Sequence, residues 1–161
     1  MAVLTTNRCR MDRLSEQDFP SALSLFTNDA VRRYLGGTIP ESAAMEKLTA
    51  WTSARDDMYL TIRLICDGTF MGIVSVSPHH DPSKKELSYQ FLPEFWGKGY
   101  AFEVLQAVLA YCRDTLGIRE AVSETQTQNI PSCRLLEKLG YRLTEQFIRF
   151  GVEQNLYFIT L

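Results

Sequence analysis

A strand-like segment ends at Leu92 and runs into Pro93-Glu-Phe-Trp-Gly-Lys-Gly-Tyr-Ala101, a turn with two glycines that opens the most regular amphipathic stretch in the chain. Glycine lets backbone approach a ligand closely, and the unpaired amides and positive dipole end of a helix start suit a phosphate or pyrophosphate. Trp96, Gly97, Lys98, Gly99, Tyr100 and Ala101 are therefore candidates for a pyrophosphate cradle. A tight strand-to-helix turn would use the same glycines for geometry alone. The segment lacks the third glycine of a dinucleotide fingerprint and the Gly-Lys-Ser/Thr ending of a P-loop, which weakens both of those phosphate-binding readings.

Other reactive residue types form weaker patterns. His79-His80-Asp81 places adjacent potential ligands in a turn with no third cluster at usable spacing, so an exposed hairpin loop is expected and no metal is assigned. Cys9, Cys66, Cys112 and Cys133 show no Cys-x-x-Cys or Cys/His spacing and read as buried free thiols of a reducing compartment. Trp51 and Trp96 read as packing residues, because no basic stripe accompanies them, and Lys84-Lys85 is too short a run for nucleic acid.

The elements that must position these groups follow from periodicity. Ser15-Glu-Gln-Asp18 before Phe19, Ala22, Leu23 and Phe26 is a helix-start signature, and Glu41 to Trp51 carries Ala44, Leu48 and Trp51 on one face. Met58, Leu60, Ile62 and Leu64 alternate with more polar neighbours, and after Asp67-Gly68 a second strand spans Phe70 to Ser77. A third antiparallel strand spans Glu86 to Leu92. Ala101, Val104, Leu105, Val108, Leu109 and Cys112 then recur at helical spacing, and Arg119 to Thr125 returns to strand. Asn129 caps a short helix carrying Leu135, Leu136 and Leu139, and strands at Tyr141 to Phe150 and Gln154 to Leu161 complete the order. The strand-helix-strand unit from Glu86 to Thr125 predicts two parallel neighbours joined by a right-handed crossover. The fold class is mixed α/β: one domain over residues 1–161, with a mostly antiparallel sheet flanked by helices.

A length of 161 residues suits one core. Apolar residues at 45% and charged residues at 22% exclude a disordered or coiled-coil chain. The net charge of −2 provides no field to draw in nucleic acid or anionic lipid, so a phosphate ligand must be gripped locally. Met1 to Arg13 has no apolar leader core, and Glu103 and Gln106 interrupt the longest apolar stretch, so a cytoplasmic protein without a membrane partner is expected.

The turn Glu94-Phe-Trp-Gly97-Lys-Gly99 resembles the Gln/Arg-x-x-Gly-x-Gly/Ala signature of the GNAT superfamily of acyl-CoA-dependent N-acyltransferases. Asn129-Ile-Pro-Ser132-Cys-Arg-Leu-Leu-Glu137-Lys138-Leu-Gly140-Tyr141 resembles the Asn-x-x-Ser…Glu-Lys-Leu-Gly-Phe/Tyr segment of its Rim-type, ribosomal-protein branch, as does Thr27 to Leu35. The resemblance covers nearly the whole chain. It implies acetyl-CoA as acyl donor and a primary amine as acceptor, either a protein N-terminal α-amine or a small molecule, acetylated by direct attack. The parallel strands are then expected to splay around the pantetheine arm, with backbone at Phe91 and Leu92 binding it, Asn129 holding it, and a strand amide facing the thioester oxygen.

Two positions depart from the pattern. Glu94 stands where the signature has Gln or Arg, and Leu136 occupies the position of the tyrosine that protonates the departing thiolate in many members. Ser132 is the substitute donor to sulfur, as in the Rim-type branch, although a first-turn serine also satisfies backbone. Glu86, at the start of the strand leading to the cradle, is the candidate base, with Glu124 behind it; Glu103 is explained by the helix dipole. A module that binds acyl-CoA without turnover is the competing reading. The acceptor loops are placed at Arg32 to Glu41 and Pro78 to Lys85, and a homodimer through the C-terminal strand is left open.

Overall fold

Alternation of apolar side chains through Met58–Leu64 and an almost continuous apolar run through Phe70–Pro78 are the marks of strands buried on one face and on both faces respectively. The computed structural model describes residues 2–161 and places these strands in an eight-stranded sheet. In chain order the strands are β1 (Leu4–Thr5), β2 (Cys9–Arg13), β3 (Met58–Leu64), β4 (Phe70–Pro78), β5 (Lys85–Phe91), β6 (Glu120–Gln126), β7 (Arg142–Arg149) and β8 (Val152–Thr160). The helices are α1 (Phe19–Phe26), α2 (Asp29–Arg32), α3 (Glu41–Ser53), α4 (Tyr100–Asp114) and α5 (Ile130–Lys138). The sheet order is β1-β2-β3-β4-β5-β6-β8-β7. Only β5 and β6 are parallel; the other six neighbouring pairs are antiparallel.

Helices cover both faces. On one, Val104, Leu105, Val108 and Leu109 of α4 and Leu136 of α5 pack on Met11, Leu60, Ile62, Val74 and Leu87. On the other, Phe19, Ala22, Leu25 and Phe26 of α1 with Ala44 and Leu48 of α3 pack on Phe70 and Ile73. The Ser15/Asp18 capping box closes a 3-10 turn that leads into α1, and Asp18 also receives Arg63 Nη2 at 2.6 Å, tying this helical layer to β3. Trp51 stacks on Tyr59 at 4.9 Å, so it is a packing residue as expected. The sequence reading missed α2, a single turn capped by Asn28, whose Oδ1 accepts from the Val31 amide. Cys9, Cys112 and Cys133 are buried as expected, but Cys66, in the β3–β4 turn, is exposed. No helix among the described residues is long and apolar enough to cross a membrane.

What matters for a site is the short pairing of the two parallel strands. β5 pairs with β4 along its length, from Pro78 against Lys85 to Gly72 against Phe91, whereas its register with β6 consists of Glu86 against Val122. Ser123 Oγ donates to Leu87 O at 2.8 Å just beyond that pair, and from there the two strands diverge. The outcome is a V-shaped cleft between β5 and β6, closed at Glu86 and open toward Phe91.

Candidate active site

Antiparallel pairing alternates the direction of backbone groups along a strand. Leu92 N–H donates to Met71 O at 2.8 Å, so Gln90, Ser88 and Glu86 likewise pair with β4, and the amides and carbonyls of Leu87, Tyr89 and Phe91 turn toward β6. Leu87 O is taken by Ser123. Phe91 O is taken by the Trp96 indole, whose Nε1–H donates at 2.8 Å. The cleft is thus lined by the Tyr89 amide and carbonyl and the Phe91 amide. Of the two positions named from the sequence, Phe91 presents an amide to the cleft, while the Leu92 amide is committed to β4.

The open end of the V leads into the glycine turn. Pro93–Phe95 forms a 3-10 turn, Gly97 (φ +70°) and Gly99 (φ +80°) adopt left-handed backbone, and Gly99 caps α4. Side chains with a Cβ avoid this region, which is why glycine stands at both positions. Trp96 N–H is used internally, on Pro93 O, and Lys98 Nζ folds back on Glu94 O at 2.8 Å. The amides of Tyr100 and Ala101, in the first helical turn, have no intrahelical partner. Trp96 is about half exposed, so its expected packing role reduces to holding Phe91 O.

Arg8 lies over this helix start, a placement invisible in the sequence because Arg8 lies 95 residues from its partner. Its Nε donates to Glu103 Oε2 at 2.7 Å, its Nη1 donates to Lys98 O at 3.1 Å, and the guanidinium stacks 4.1 Å above the Tyr100 ring. Glu103 also accepts from Thr6 Oγ1 and the Arg8 amide, so it ties the β1–β2 turn to α4 in addition to serving the dipole.

At the closed end of the V lies a charged cluster. Of the two histidines expected in an exposed loop, His80 is exposed as expected, whereas His79 folds back against β5 and β6 and is 5% exposed. His79 Nδ1 accepts from the Asp81 amide at 3.2 Å, so in the neutral ring Nε2 carries the proton and donates to Glu124 Oε2 at 2.8 Å. Arg149 Nη1 reaches Glu124 at 3.2 Å and His80 Nδ1 at 2.9 Å. Glu124 is fully engaged by these partners. Glu86 is not: its contact with His79 Nε2 is 3.8 Å, and burial, reinforced by the charge of Glu124, pushes its carboxyl above the usual range, against the opposing pull of His79 and Arg149. His79, His80 and Glu124 bring ligand atoms within 4.8 Å of one another. The Arg149 guanidinium already supplies the positive charge there, so the donor set does not fit a bound cation.

Beside this cluster, between the β4–β5 turn and the β7–β8 hairpin, lies a cavity of about 240 Å³ lined by His79, His80, Lys84, Glu145 and Phe147. A larger hollow of about 560 Å³ lies between α1 and α3 and touches none of the groups above.

On the opposite face of the sheet, Ser132 in the first turn of α5 sits 2.5 Å from the phenol oxygen of Tyr89. Asn129 caps that helix, its Oδ1 accepting from the Ser132 amide at 3.3 Å. Leu136 is fully buried in the core. The structure therefore sets Glu86 and the Tyr89/Ser132 hydroxyl pair on opposite faces of the sheet, three residues apart along β5.

The sequence profile of the acetyltransferase (GNAT) domain matches residues 8–142. The chain belongs to this family. Among curated proteins it is similar to the uncharacterized N-acetyltransferase YoaA of Bacillus subtilis, with 30% identity over 95% of this chain and 89% of that one. Among solved structures it is similar to a GNAT-family acetyltransferase from Bacillus anthracis (TM-score 0.87, 22% identity, 98% and 97% of the two chains). It is also similar to the ribosomal L7/L12 α-N-protein acetyltransferase RimL in complex with coenzyme A (TM-score 0.83, 14% identity, 100% and 98%). The GNAT fold expected from the two motifs is thus present over the whole described chain. Identity to RimL is too low to carry more than the fold.

Proposed function

We propose that this GNAT chain transfers the acetyl group of acetyl-CoA to a primary amine in the cleft between β5 and β6. The observation that carries the reading is the single-pair register of β5 with β6 at Glu86, which leaves the edge of β5 unpaired from there toward the left-handed Gly97–Gly99 turn at the head of α4. The amides from Gly97 to Ala101 and the α4 dipole receive the pyrophosphate, and the pantetheine arm lies along the open edge of β5, bonding to Phe91 and Tyr89 backbone. An amide of this edge, at Tyr89 or Phe91, polarises the thioester carbonyl and stabilises the tetrahedral oxyanion. With its Oδ1 on the Ser132 amide, Asn129 has the amide nitrogen of its side chain left for the arm.

The acceptor enters from the face carrying Glu86. An amine of pKa about 10.4 is free base only about once in a few thousand molecules at pH 7, so removal of its proton is a real demand. Glu86, lifted by burial, takes that proton directly or through water as nitrogen bonds to the carbonyl carbon. The carbon–sulfur bond then breaks, its electron pair goes to sulfur, and Ser132 donates a hydrogen bond to the thiolate. The acceptor is an α-amine of a protein, in keeping with the Rim-type motif, or a small amine, in a cytoplasmic setting.

Leu136 favours a second reading, because a core leucine stands where many members have their acid; the chain would then bind acyl-CoA without turnover. Thermal unfolding with coenzyme A, followed by thiol release from acetyl-CoA with spermidine and with a short peptide bearing a free α-amine, separates the two. Stabilisation at ligand concentrations far above micromolar together with amine-dependent thiol release is expected. Stabilisation without release would establish the binding module, and no stabilisation would sink both.

A further inference from the structure

We infer that Tyr89 is a positioning residue for the leaving-group sulfur: its phenol donates to Ser132 Oγ and so turns the Ser132 proton into the cleft. The inference rests on the acyl-transfer reading and adds to it a residue that sequence motifs do not mark.

Strand alternation places Tyr89 on the α4–α5 face of β5 with Leu87 and Phe91, and its oxygen meets Ser132 Oγ at 2.5 Å across 43 residues of sequence. A first-turn helical serine ordinarily closes back on its own backbone. Here the Ser132 amide is served by Asn129, and among the described residues Tyr89 is the partner of the Ser132 hydroxyl. Two hydroxyls that have only each other contribute one donor to the pair and leave one free. If serine donated, the phenol proton would be the one without an acceptor, packed against the core, an arrangement folded chains avoid. The phenol is also the stronger acid and the better donor. With the phenol donating, the free proton is that of Ser132, at the edge of the cleft. Burial lifts the Tyr89 hydroxyl to about 12, so it keeps its proton through neutral pH.

A thiol of pKa near 8.5 departs tolerably as its anion, and both hydroxyls hold their protons more tightly than it does. The step is therefore hydrogen bonding rather than proton transfer. Sulfur takes the electron pair of the carbon–sulfur bond, the amine proton goes to Glu86, both hydroxyls stay protonated, and solvent protonates the thiolate on release. This arrangement answers for Leu136: the donor is presented by two residues from a strand and a helix start instead of one tyrosine farther along α5. Tyr141 is the rival, since its hydroxyl is buried on the same side without a partner among the described residues.

The test measures thiol release from acetyl-CoA, with spermidine and with the peptide, for the full chain and for Tyr89→Phe, Ser132→Ala, the double variant and Tyr141→Phe, with calorimetric binding of coenzyme A alongside. Tyr89→Phe is expected to lower kcat about tenfold while KM for acetyl-CoA and coenzyme A affinity stay within about twofold of the parent. In the Ser132→Ala background the same change is expected to cost nothing further, which a merely structural tyrosine would not reproduce. Parental kcat in Tyr89→Phe, an equal loss in both backgrounds, or a loss confined to Tyr141→Phe overturns the inference while acyl transfer stands. A parent chain that binds coenzyme A but releases no thiol overturns the acyl-transfer reading itself and takes the inference with it.

Discussion

Gly97 gives the most direct probe of the cradle, because the cost of changing it can be divided into two parts. Its backbone is left-handed at φ +70°, and a methyl built there meets no atom within 4 Å. Gly97→Ala therefore carries only the backbone penalty, about 1–2 kcal/mol. For a chain of this size that is a loss of roughly 2–8 °C in Tm. Gly68, in the β3–β4 turn, has φ +77° and equally open surroundings, so Gly68→Ala should lower Tm by a similar amount. The two variants part company on ligand binding. The open space over Gly97 is where the turn amides would close on a pyrophosphate, so the methyl there should weaken coenzyme A at least about tenfold, or about 1.4 kcal/mol. Gly68→Ala should bind as the parent does. Thermal unfolding without ligand measures the first part and calorimetric titration with coenzyme A the second. Parental affinity in Gly97→Ala, or equal weakening in both variants, would refute the placement of the phosphates at this turn.

Glu86→Gln should lower amine-dependent thiol release by about 10²–10⁴-fold with coenzyme A binding retained. Burial raises this carboxyl, so the folded state opposes its ionisation and loses stability as pH rises from the ordinary value of 4.5 through the raised one. Glu86→Gln should accordingly unfold at a higher temperature than the parent at neutral pH and at nearly the same temperature near pH 4, and a lower Tm at neutral pH would contradict the burial argument. Glu124→Gln removes the charge that helps hold Glu86 up, and should move the acid limb of kcat/KM to lower pH; a limb that stays or rises would show that Glu86 is not the titrating base. Gly72→Ala would set a Cβ 2.0 Å from Gln90 O in the β4–β5 pair, so a loss above about 4 kcal/mol and accumulation of insoluble chain are expected. A soluble variant with parental Tm would mean that the two strands can part without penalty.

The parts of this protein legible in its sequence are those held by neighbours along the chain. The glycine turn, the apolar stripe of α4, the Ser15/Asp18 capping box and the Asn129 cap each follow from residues a few positions apart. The parallel placement of β5 and β6 followed as well, since the handedness and compactness of a strand-helix-strand unit leave little choice. Only the tertiary structure shows the surroundings of Glu86 and Glu124. In the sequence Glu86 and Glu124 are two strand carboxylates ranked first and second as base; in the fold His79 and Arg149, at separations of 45 and 25 residues from Glu124, bond to Glu124, while Glu86 meets His79 only at 3.8 Å. The turn carrying His79 reads as a polar loop because its residue types favour turns, and most of it is exposed; His79 alone is buried, against Glu124 of β6 and Glu86 of β5. Tyr89 likewise reads as one apolar position in an alternating strand until α5 sets Ser132 against its hydroxyl. Local backbone preferences determined where the glycine turn and the helices begin, because they act between adjacent residues. Which side chains are left uncommitted to act on a ligand depends on contacts between distant segments, and those exist only once the sheet has closed.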